Sequence, residues 1–548
     1  MDLVLVGLPG SGKTAVGRRL ASRHGAAFID LDDEIERAAA ASVPEIFAGE
    51  GEAGFRRRER AAVAALGPPD AGGALQRVIS PGGGAVVDPR NRWALFRGRR
   101  VAWLDARPEV IAQRLRRSPV ARPLVQGPDP LGRVRSLAAA RERFYAAGTR
   151  INGVADLAGV LGQLEILLAS PASGCTTLLH AVTPIGEVRL GEGMAVDALD
   201  QALRGLHARR AVLVSEPGAW GAAGETTATG LRAAGWAVET VILPAGEDAK
   251  RLAVIEDAAR ALARLRLERA EPLVAIGGGA LGDPAGFLAA TYARGVPWIQ
   301  VPTTLVAQVD SAIGGKTGVD LPEGKNLLGA FHHPAAIVLD VALLRSLPER
   351  QLRAAMGEIV KMAALGDEAL FATVEAHGAA IARGDVSAFE YGAVAEVVER
   401  AAWAKVEVVI ADERELAAKA GRISLNLGHT VAHAIEAVDG YATLMHGEAV
   451  AYGLRAAARV GTALGVTPAD RAARIERVLD RLSLAMDPLP FPPEAVIAAT
   501  GTDKKHAAGR LRWVLPTADG YVTRDDVPEA LVREAVARVL AGRGGGVA

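Results

Sequence analysis

The sequence predicts an α/β protein in three folded parts: an N-terminal parallel sheet, a second α/β region, and a mainly helical region after it. Three observations carry that reading. Short apolar runs alternate with stretches of helical periodicity from the first residues onward. Two glycine clusters, GLPGSGKT (Gly7–Thr14) and GGGALGD (Gly277–Asp283), each follow an apolar run and open a helical one. From about Pro348 the strand signals fade, and Ala/Glu/Arg-rich helical patterns dominate as far as Leu482. At 548 residues the chain is also too long for a single core.

In order along the chain, Asp2–Val6 reads as a strand entering the first glycine loop, and Lys13–Arg23 as a helix. Strand-like runs recur at Ala27–Leu31, Arg77–Ile79 and Val101–Leu104, and a helix is expected near Val154–Leu168. Ala169–Thr176 (ASPASGCT) is short, small and polar, as a linker would be. Strands follow at Ala211–Ser215, Ala237–Ile242, Pro272–Ile276 and Trp298–Val301. After the helical stretch, Leu511–Leu515 and Tyr521–Thr523 read as a hairpin before a last helix. The expected organisation is 1–168, a linker at 169–180, an α/β domain at 181–347 and a helical domain at 348–548. No internal repeat is visible.

Composition excludes several function classes. Lys+Arg and Asp+Glu balance at 63 each, so no global basic field recruits nucleic acid or a membrane surface. The lone cysteine, Cys175, cannot form an internal disulfide or a multi-thiolate metal site. No apolar run reaches the ~18 residues of a membrane span, and MDLVLVGLPG lacks the basic start of a secretory signal. A cytoplasmic enzyme acting on small molecules is the expectation.

GxxxxGK[ST] between a strand and a helix is a phosphate cradle. Its glycines let backbone N–H groups face the phosphates, here at Gly10, Ser11 and Gly12; Lys13 reaches the β- and γ-phosphates, and the Thr14 hydroxyl holds Mg²⁺. Further residues indicate the acceptor. FIDLD places Asp30 and Asp32 at a strand's C-terminal end, where parallel sheets bind ligands. FRRRE supplies Arg56, PGGGA supplies Gly82, Gly83 and Gly84, ARPL supplies Arg122 and RERFY supplies Arg141. These elements, in this order, resemble shikimate kinase over Met1 to about Leu168, on a P-loop kinase-type sheet. The resemblance implies ATP-dependent 3-phosphorylation of shikimate. Asp32 would orient the attacking hydroxyl, Arg56 and Arg141 would grip the carboxylate, and Gly82–Gly84 would line the acceptor site. Asp30 would sit near Mg²⁺, and Arg122 would act from a mobile lid. One departure stands out. The family's P-L-Y is Arg143-Phe144-Tyr145 here, from which we expect a change of packing and not of substrate.

In the second half, GGGALGD suits close approach of a pyrophosphate. PTT (Pro302–Thr304) and the group Gly246, Glu247 and Lys250 add possible ribose and nicotinamide contacts. His429 and His433 share one helical face, His446 follows in HGEA, and Glu358 lies upstream in GEIVK. Two imidazoles and a carboxylate with an open position make a catalytic Zn²⁺ set, and the spacing alone leaves open which histidines take part. Lys316, Lys325, Asn326, Lys361, Lys405, Arg422 and the pair Lys504-Lys505 point to a phosphorylated or carboxylated substrate.

The strings GGGALGDPAGFLAATYARG, PTTLVAQVDSAIGGKTGVD, GKNLLGAF, GEIVK, LNLGHTVAHAIE and HGEAVA resemble 3-dehydroquinate synthase from about Ala181 to Leu540. That implies a Rossmann-like α/β domain followed by a mainly α-helical metal-binding domain. It also implies cyclisation of 3-deoxy-D-arabino-heptulosonate 7-phosphate to 3-dehydroquinate with phosphate release, using NAD and Zn²⁺ or Co²⁺. By resemblance Glu358, His429 and His446 hold the metal, and His433 is a substrate-side acid or base. Asp310, Lys316, Asn326, Lys361, Lys405, Arg422, Asn426, Lys504 and Lys505 hold the substrate, with Asp310, Lys316 and Lys361 also catalytic. The resemblance also implies that Arg294 would cross a homodimer interface formed by the synthase part. Glu247, Lys250, Gly278, Gly279, Asp283, Thr303, Thr304, Lys316 and Lys325 hold NAD.

Three departures accompany the match: Ala432 replaces a glycine in GHTxGH, the Asp412–Arg422 stretch is slightly longer, and VSEPGAW changes the adenosine contacts. Two alternatives remain. A metal-dependent polyol dehydrogenase shares the glycine loop, but a neutral substrate needs no such ring of cations. A non-catalytic scaffold with a degenerate kinase domain sits badly with intact Lys13, Asp32, Arg56 and Arg141.

Overall fold

Strand Asp2–Val6 is buried throughout, as its run DLVLV requires, in the computed structural model describing residues 1–70, 72–117, 129–171, 174–415, 421–500, 506–507 and 510–542. Asp2 is tolerated inside because Arg77 Nη2 and Arg99 Nε stand 2.6 and 3.1 Å from its carboxylate. Burial works to raise this carboxyl's pKa, but the two guanidinium groups and the Asp70 N–H outweigh it and hold it down.

The described residues divide into two compact units: Met1–Thr183 with Glu187–Ala198, and Pro184–Gly186 with Leu199–Ala548. In the first, five strands run parallel in the order Ala27–Asp30, Arg77–Ser80, Asp2–Val6, Arg100–Asp105 and Thr149–Asn152. Leu3, Leu5, Leu20, Val78, Leu104 and Leu164 close one core against helices Lys13–His24 and Leu157–Ala169. The C-terminal ends of the first three strands in that order lie side by side. They carry the Gly7 loop, Asp30 and the Gly82 loop.

In the second unit, parallel strands follow the order Ala336–Asp340, Trp298–Pro302, Leu273–Gly277, Ala211–Ser215 and Val238–Ile242. Helix Gly279–Thr291 leaves the end of Leu273–Gly277 and buries Leu281, Phe287 and Leu288 in the core. This is the Rossmann-like part of an α/β chain, and the helical part follows it. Helix Glu349–Ala364 is buried on nearly every side, the mark of a central helix. Helices Ala393–Ala411 and His446–Ala463 pack on it, and His429–Val438 packs on His446–Ala463.

Several elements were not foreseen. Thr149–Asn152 is too short to show a period, and AIVLD at Ala336–Asp340 is an apolar run that suits strand or helix equally. The lysine-bearing segment Lys316–Leu321 pairs antiparallel with Gly324–Phe331, so GGKTG and GKN belong to one hairpin. Strand Thr176–Thr183 begins inside the 169–180 segment, where β-branched TTLLHAVT takes over from small residues. The terminal hairpin, by contrast, lies where the sequence placed one, pairing Trp513–Pro516 with Tyr521–Arg524.

Candidate active sites

Gly7, Gly10 and Gly12 all take positive φ, which wraps the first glycine loop around an open centre. Lys13 Nζ folds back and donates to the Gly7 and Leu8 carbonyls at 2.9 and 3.2 Å. Thr14 Oγ1 donates to Asp30 Oδ2 at 2.9 Å, while Asp30 Oδ1 accepts from the Asp32 N–H at 3.2 Å and caps helix Leu31–Ala39. Burial is the strongest influence on Asp30 and raises its pKa against the pull of Thr14. A hydroxyl and a carboxylate meeting beneath a loop of backbone N–H groups is a donor set that fits Mg²⁺ with a nucleotide phosphate.

The glycine triplet organises the acceptor side. A Cβ at Gly82 would stand 2.7 Å from Asp32 Oδ1, and one at Gly84 would stand 2.9 Å from Arg56 Nη1. The Gly83 carbonyl accepts from Arg141 Nη1 at 2.9 Å and from the Tyr145 hydroxyl at 2.5 Å. The loop therefore gathers Asp32, Arg56 and Arg141. Arg56 is braced by buried Glu59 at 2.9 Å and by Glu52 at 3.1 Å. The substituted Phe144 is flanked by Arg92 and Arg143, whose guanidinium carbons lie 4.3 and 4.6 Å from its ring centre. Sequence reasoning missed Arg114, which donates to the Ser11 carbonyl at 3.3 Å and the Gly153 carbonyl at 3.1 Å. Nothing in RLRR distinguishes it from its neighbours. Arg122 lies outside the described residues.

The second unit holds a cavity of 550 Å³ lined by Asp283, Asp310, Lys316, Asn326, Lys361, Lys405, Arg422, Asn426, His429, His433 and His446, among others. Two of the lining histidines turn toward Glu358, fully buried on the central helix. Glu358 Oε1 lies 3.3 Å from His429 Nε2 and 3.1 Å from His446 Nε2. His429 Nδ1 must donate to the Leu427 carbonyl, 3.2 Å away, so its Nε2 turns a lone pair toward the carboxylate. Two acceptors face one another there, and a cation resolves the conflict. The ligand atoms of Glu358, His429 and His446 all lie within 4.8 Å of one another, so the set fits a metal ion. Burial lowers His429 to about 3, which keeps it a neutral ligand. Burial also opposes charge on His446, but hydrogen bonds to Glu358 and Glu436 raise it to about 10; that second proton occupies a place a metal can take.

Two glycines set this spacing. Gly357 and Gly447 are the immediate neighbours of Glu358 and His446, and a methyl group on Gly447 would collide with the Ala354 carbonyl. One on Gly357 would strike the Gly447 carbonyl. The helix carrying Glu358 and the turn carrying His446 thus touch backbone to backbone. Gly453 makes the same kind of contact with the Gly428 carbonyl, beside the fully buried Ala432.

The cations are paired. Lys361 Nζ bonds Glu358 Oε2 and lies 3.7 Å from Asp310 Oδ1; Lys405 Nζ lies 2.5 Å from the same Asp310 oxygen, and Lys316 Nζ 2.5 Å from Glu415. Burial disfavours charge on Lys361, yet Glu358 and Asp310 hold its pKa up, whereas burial wins at Lys405 and lowers it. Arg422 donates to the Gly314 carbonyl at 2.9 Å and, through its N–H, to Asp412 at 3.1 Å. Glu415 is a site residue that sequence reasoning missed. It sits in the Asp412–Arg422 stretch, of which residues 416–420 are not described.

At the strand ends, the Thr303 N–H donates to the Gly277 carbonyl at 3.1 Å, and a Cβ at Gly278 would stand 3.0 Å from Thr304. Lys250 pairs with Asp283 at 2.8 Å and reaches Asn326 at 3.4 Å, while Lys325 lies 3.4 Å from Glu247. Glu216 in VSEPGAW caps its own helix, accepting from the Gly218 and Ala219 N–H groups at 2.9 and 2.7 Å. Arg294 stands apart from the cavity on an exposed turn with φ of 65°. Lys504 and Lys505 lie outside the described residues.

Comparison with known proteins matches both halves. A family model described as shikimate kinase matches residues 9–155. Models for the N-terminal and C-terminal parts of 3-dehydroquinate synthase match residues 240–354 and 355–506. The 3-dehydroquinate synthase of Symbiobacterium thermophilum is 44% identical over 327 residues, which cover 59% of this chain and 89% of that protein. Among solved structures, a 2-epi-5-epi-valiolone synthase from Streptomyces hygroscopicus subsp. jinggangensis, with NAD⁺ and Zn²⁺ bound, is 27% identical with a TM-score of 0.58, covering 68% of this chain and 98% of that one. The shikimate kinase of Acinetobacter baumannii in complex with shikimate is 36% identical with a TM-score of 0.29, covering 31% of this chain and 95% of that one.

Proposed function

We propose roles for the two sites from one premise: the chain belongs to the 3-dehydroquinate synthase family and carries a shikimate kinase domain ahead of that synthase. In the kinase, Gly10–Thr14 cradle the ATP phosphates, and Thr14 with Asp30 hold Mg²⁺. Lys13 exchanges its carbonyl partners for phosphate oxygens. Asp32 orients the 3-hydroxyl of shikimate, whose carboxylate takes the forks of Arg56 and Arg141, and Gly82–Gly84 leave room for the ring. Arg122 would neutralise charge on the transferring phosphoryl group. Catalysis here is positioning and electrostatics.

In the synthase, Glu358, His429 and His446 would hold Zn²⁺ or Co²⁺, which when bound polarises a substrate hydroxyl. Glu247, Lys250, Gly278, Gly279, Asp283, Thr303, Thr304 and Lys325 would hold NAD, which would supply a reversible hydride acceptor. Lys316, Lys405, Arg422, Asn326 and Asn426, joined by Lys504 and Lys505, grip the carboxylate and phosphate of the heptulosonate. Asp310 fixes Lys361 and Lys405 in place, and His433 exchanges protons with the substrate from beside His429. The observation that carries this reading is the ring of cations around the Glu358 cluster. A metal-dependent polyol dehydrogenase would have no use for it.

Arg294, presented on an exposed turn, suits donation to a second copy of the chain in a homodimer. No described helix is long and apolar enough to cross a membrane, and we place the enzyme in the cytoplasm. The test is to assay both reactions on the purified chain and on Lys13→Ala and His429→Ala. Each variant is expected to lose one activity and keep the other. If either silences both, the two-site reading is wrong.

A further inference from the structure

We propose that Glu436 is a positioning carboxylate of the metal centre: it accepts the Nδ1 proton of His446, so that this imidazole meets the metal through Nε2. The inference rests on the reading of Glu358, His429 and His446 as the ligands.

A neutral imidazole has one N–H and one lone pair, and the nitrogen that binds metal is chosen by what the other nitrogen contacts. His446 lies between two carboxylates, its Nδ1 3.0 Å from Glu436 Oε1 and its Nε2 3.1 Å from Glu358 Oε1. Only Nε2 points into the ligand cluster, so the Nδ1 proton belongs to Glu436. The Glu436 side chain is 10% exposed, and a buried carboxylate without a partner is costly. Its place in the sequence follows from helix geometry. His429, His433 and Glu436 stand four and three positions apart on helix His429–Val438 and share a face. That helix thereby supplies one ligand, His429, and also orients the ligand supplied by helix His446–Ala463.

The two imidazoles are backed differently. His429 leans on the Leu427 carbonyl and His446 on a carboxylate, which makes His446 the more strongly donating ligand. The same contact reaches toward the substrate, because His433, Glu436 and His446 also have ligand atoms within 4.8 Å of one another. One alternative is a second metal bound by those three residues, and the experiment separates the two.

The full chain, stripped of metal by a chelator, is titrated with Co²⁺ and Zn²⁺ against a chromophoric competitor, with NADH binding as the control for folding. Glu436→Ala should weaken the metal Kd by about 10–100-fold and shift the visible Co²⁺ bands. Glu436→Gln keeps size and an acceptor oxygen but no charge, and should fall between. It also serves as the test if Glu436→Ala does not fold. Stoichiometry should stay at one ion per chain. A Kd within twofold of the parent in both variants, or a second equivalent of metal lost only on changing Glu436, overturns the proposal. His429→Ala distinguishes the failures: if it too keeps full metal affinity, the ligand assignment itself is wrong.

Discussion

The two sites hold their charges in opposite ways. In the kinase unit, Lys13 rests on two backbone carbonyls of its own loop, which water can satisfy if the side chain leaves. In the synthase unit, Lys361 rests on Glu358, Lys405 on Asp310 and Lys316 on Glu415, charge against charge. The first arrangement tolerates loss of the lysine better, because its hydrogen-bond partners are neutral and Asp30, which its charge also favours, keeps Thr14 and the Asp32 N–H. The second does not at Lys361 and Lys405, because each of those buried charges is the reason its partner can be there, whereas Lys316 and Glu415 pair at the surface. The same contrast applies to the glycines. Gly82 and Gly84 face the side-chain ends of Asp32 and Arg56, whereas Gly357 and Gly447 face backbone.

The largest expected effect tests the charges. Lys361→Ala should lower synthase kcat/KM by about 10³-fold or more and cost about 3–5 kcal/mol of stability, because it strands Glu358. Lys13→Ala should abolish kinase turnover as completely while costing less than about 1 kcal/mol. Urea denaturation of both variants measures the difference, and equal losses of stability would break the comparison. The glycines come next. Gly447→Ala should weaken Co²⁺ binding by about 10-fold or more with NADH binding retained, since the Ala354 carbonyl cannot retreat. Gly82→Ala should raise the KM for shikimate by a similar factor but leave the melting temperature nearly unchanged.

The smallest effect concerns pH. Burial raises Asp30 in the folded protein, so its ionised form opposes folding. Its contribution is most favourable below the unfolded carboxylate value and is lost as pH rises through the raised folded value. Asp30→Asn should therefore stabilise the kinase unit at neutral pH, by about 1 kcal/mol or less, while weakening Mg-ATP-dependent turnover. A variant less stable at pH 7 than the parent, and no different from it at pH 4, would reverse the sign.

What could be read in the sequence was local. The glycine loops, the Asp30–Asp32 pair and the His429–His433 spacing each lie within one turn or one strand end, where backbone geometry converts spacing into direction. What escaped was non-local. Gly357 reads as an ordinary helix glycine until Gly447 is seen against it, and Glu415 reads as surface until Lys316 crosses to it. Glu436 was in plain view in GHTVAHAIE, but its partner belongs to another helix. The hairpin Lys316–Phe331 escaped for another reason: a strand whose exposed face binds ligands does not alternate apolar and polar residues.

The backbone contact between Gly357 and Gly447 also fixes a schedule. Every residue that lines the kinase site, from Gly7 to Tyr145, is translated before the second unit begins, and domains fold in order as they leave the ribosome. The Glu358 cluster has to wait. Its carboxylate and Lys361 are made well before His446, and until the helix that starts there arrives, the three-ligand set is incomplete. A nascent chain can thus carry a finished phosphate cradle on its leading end while the metal pocket behind it is still unformed.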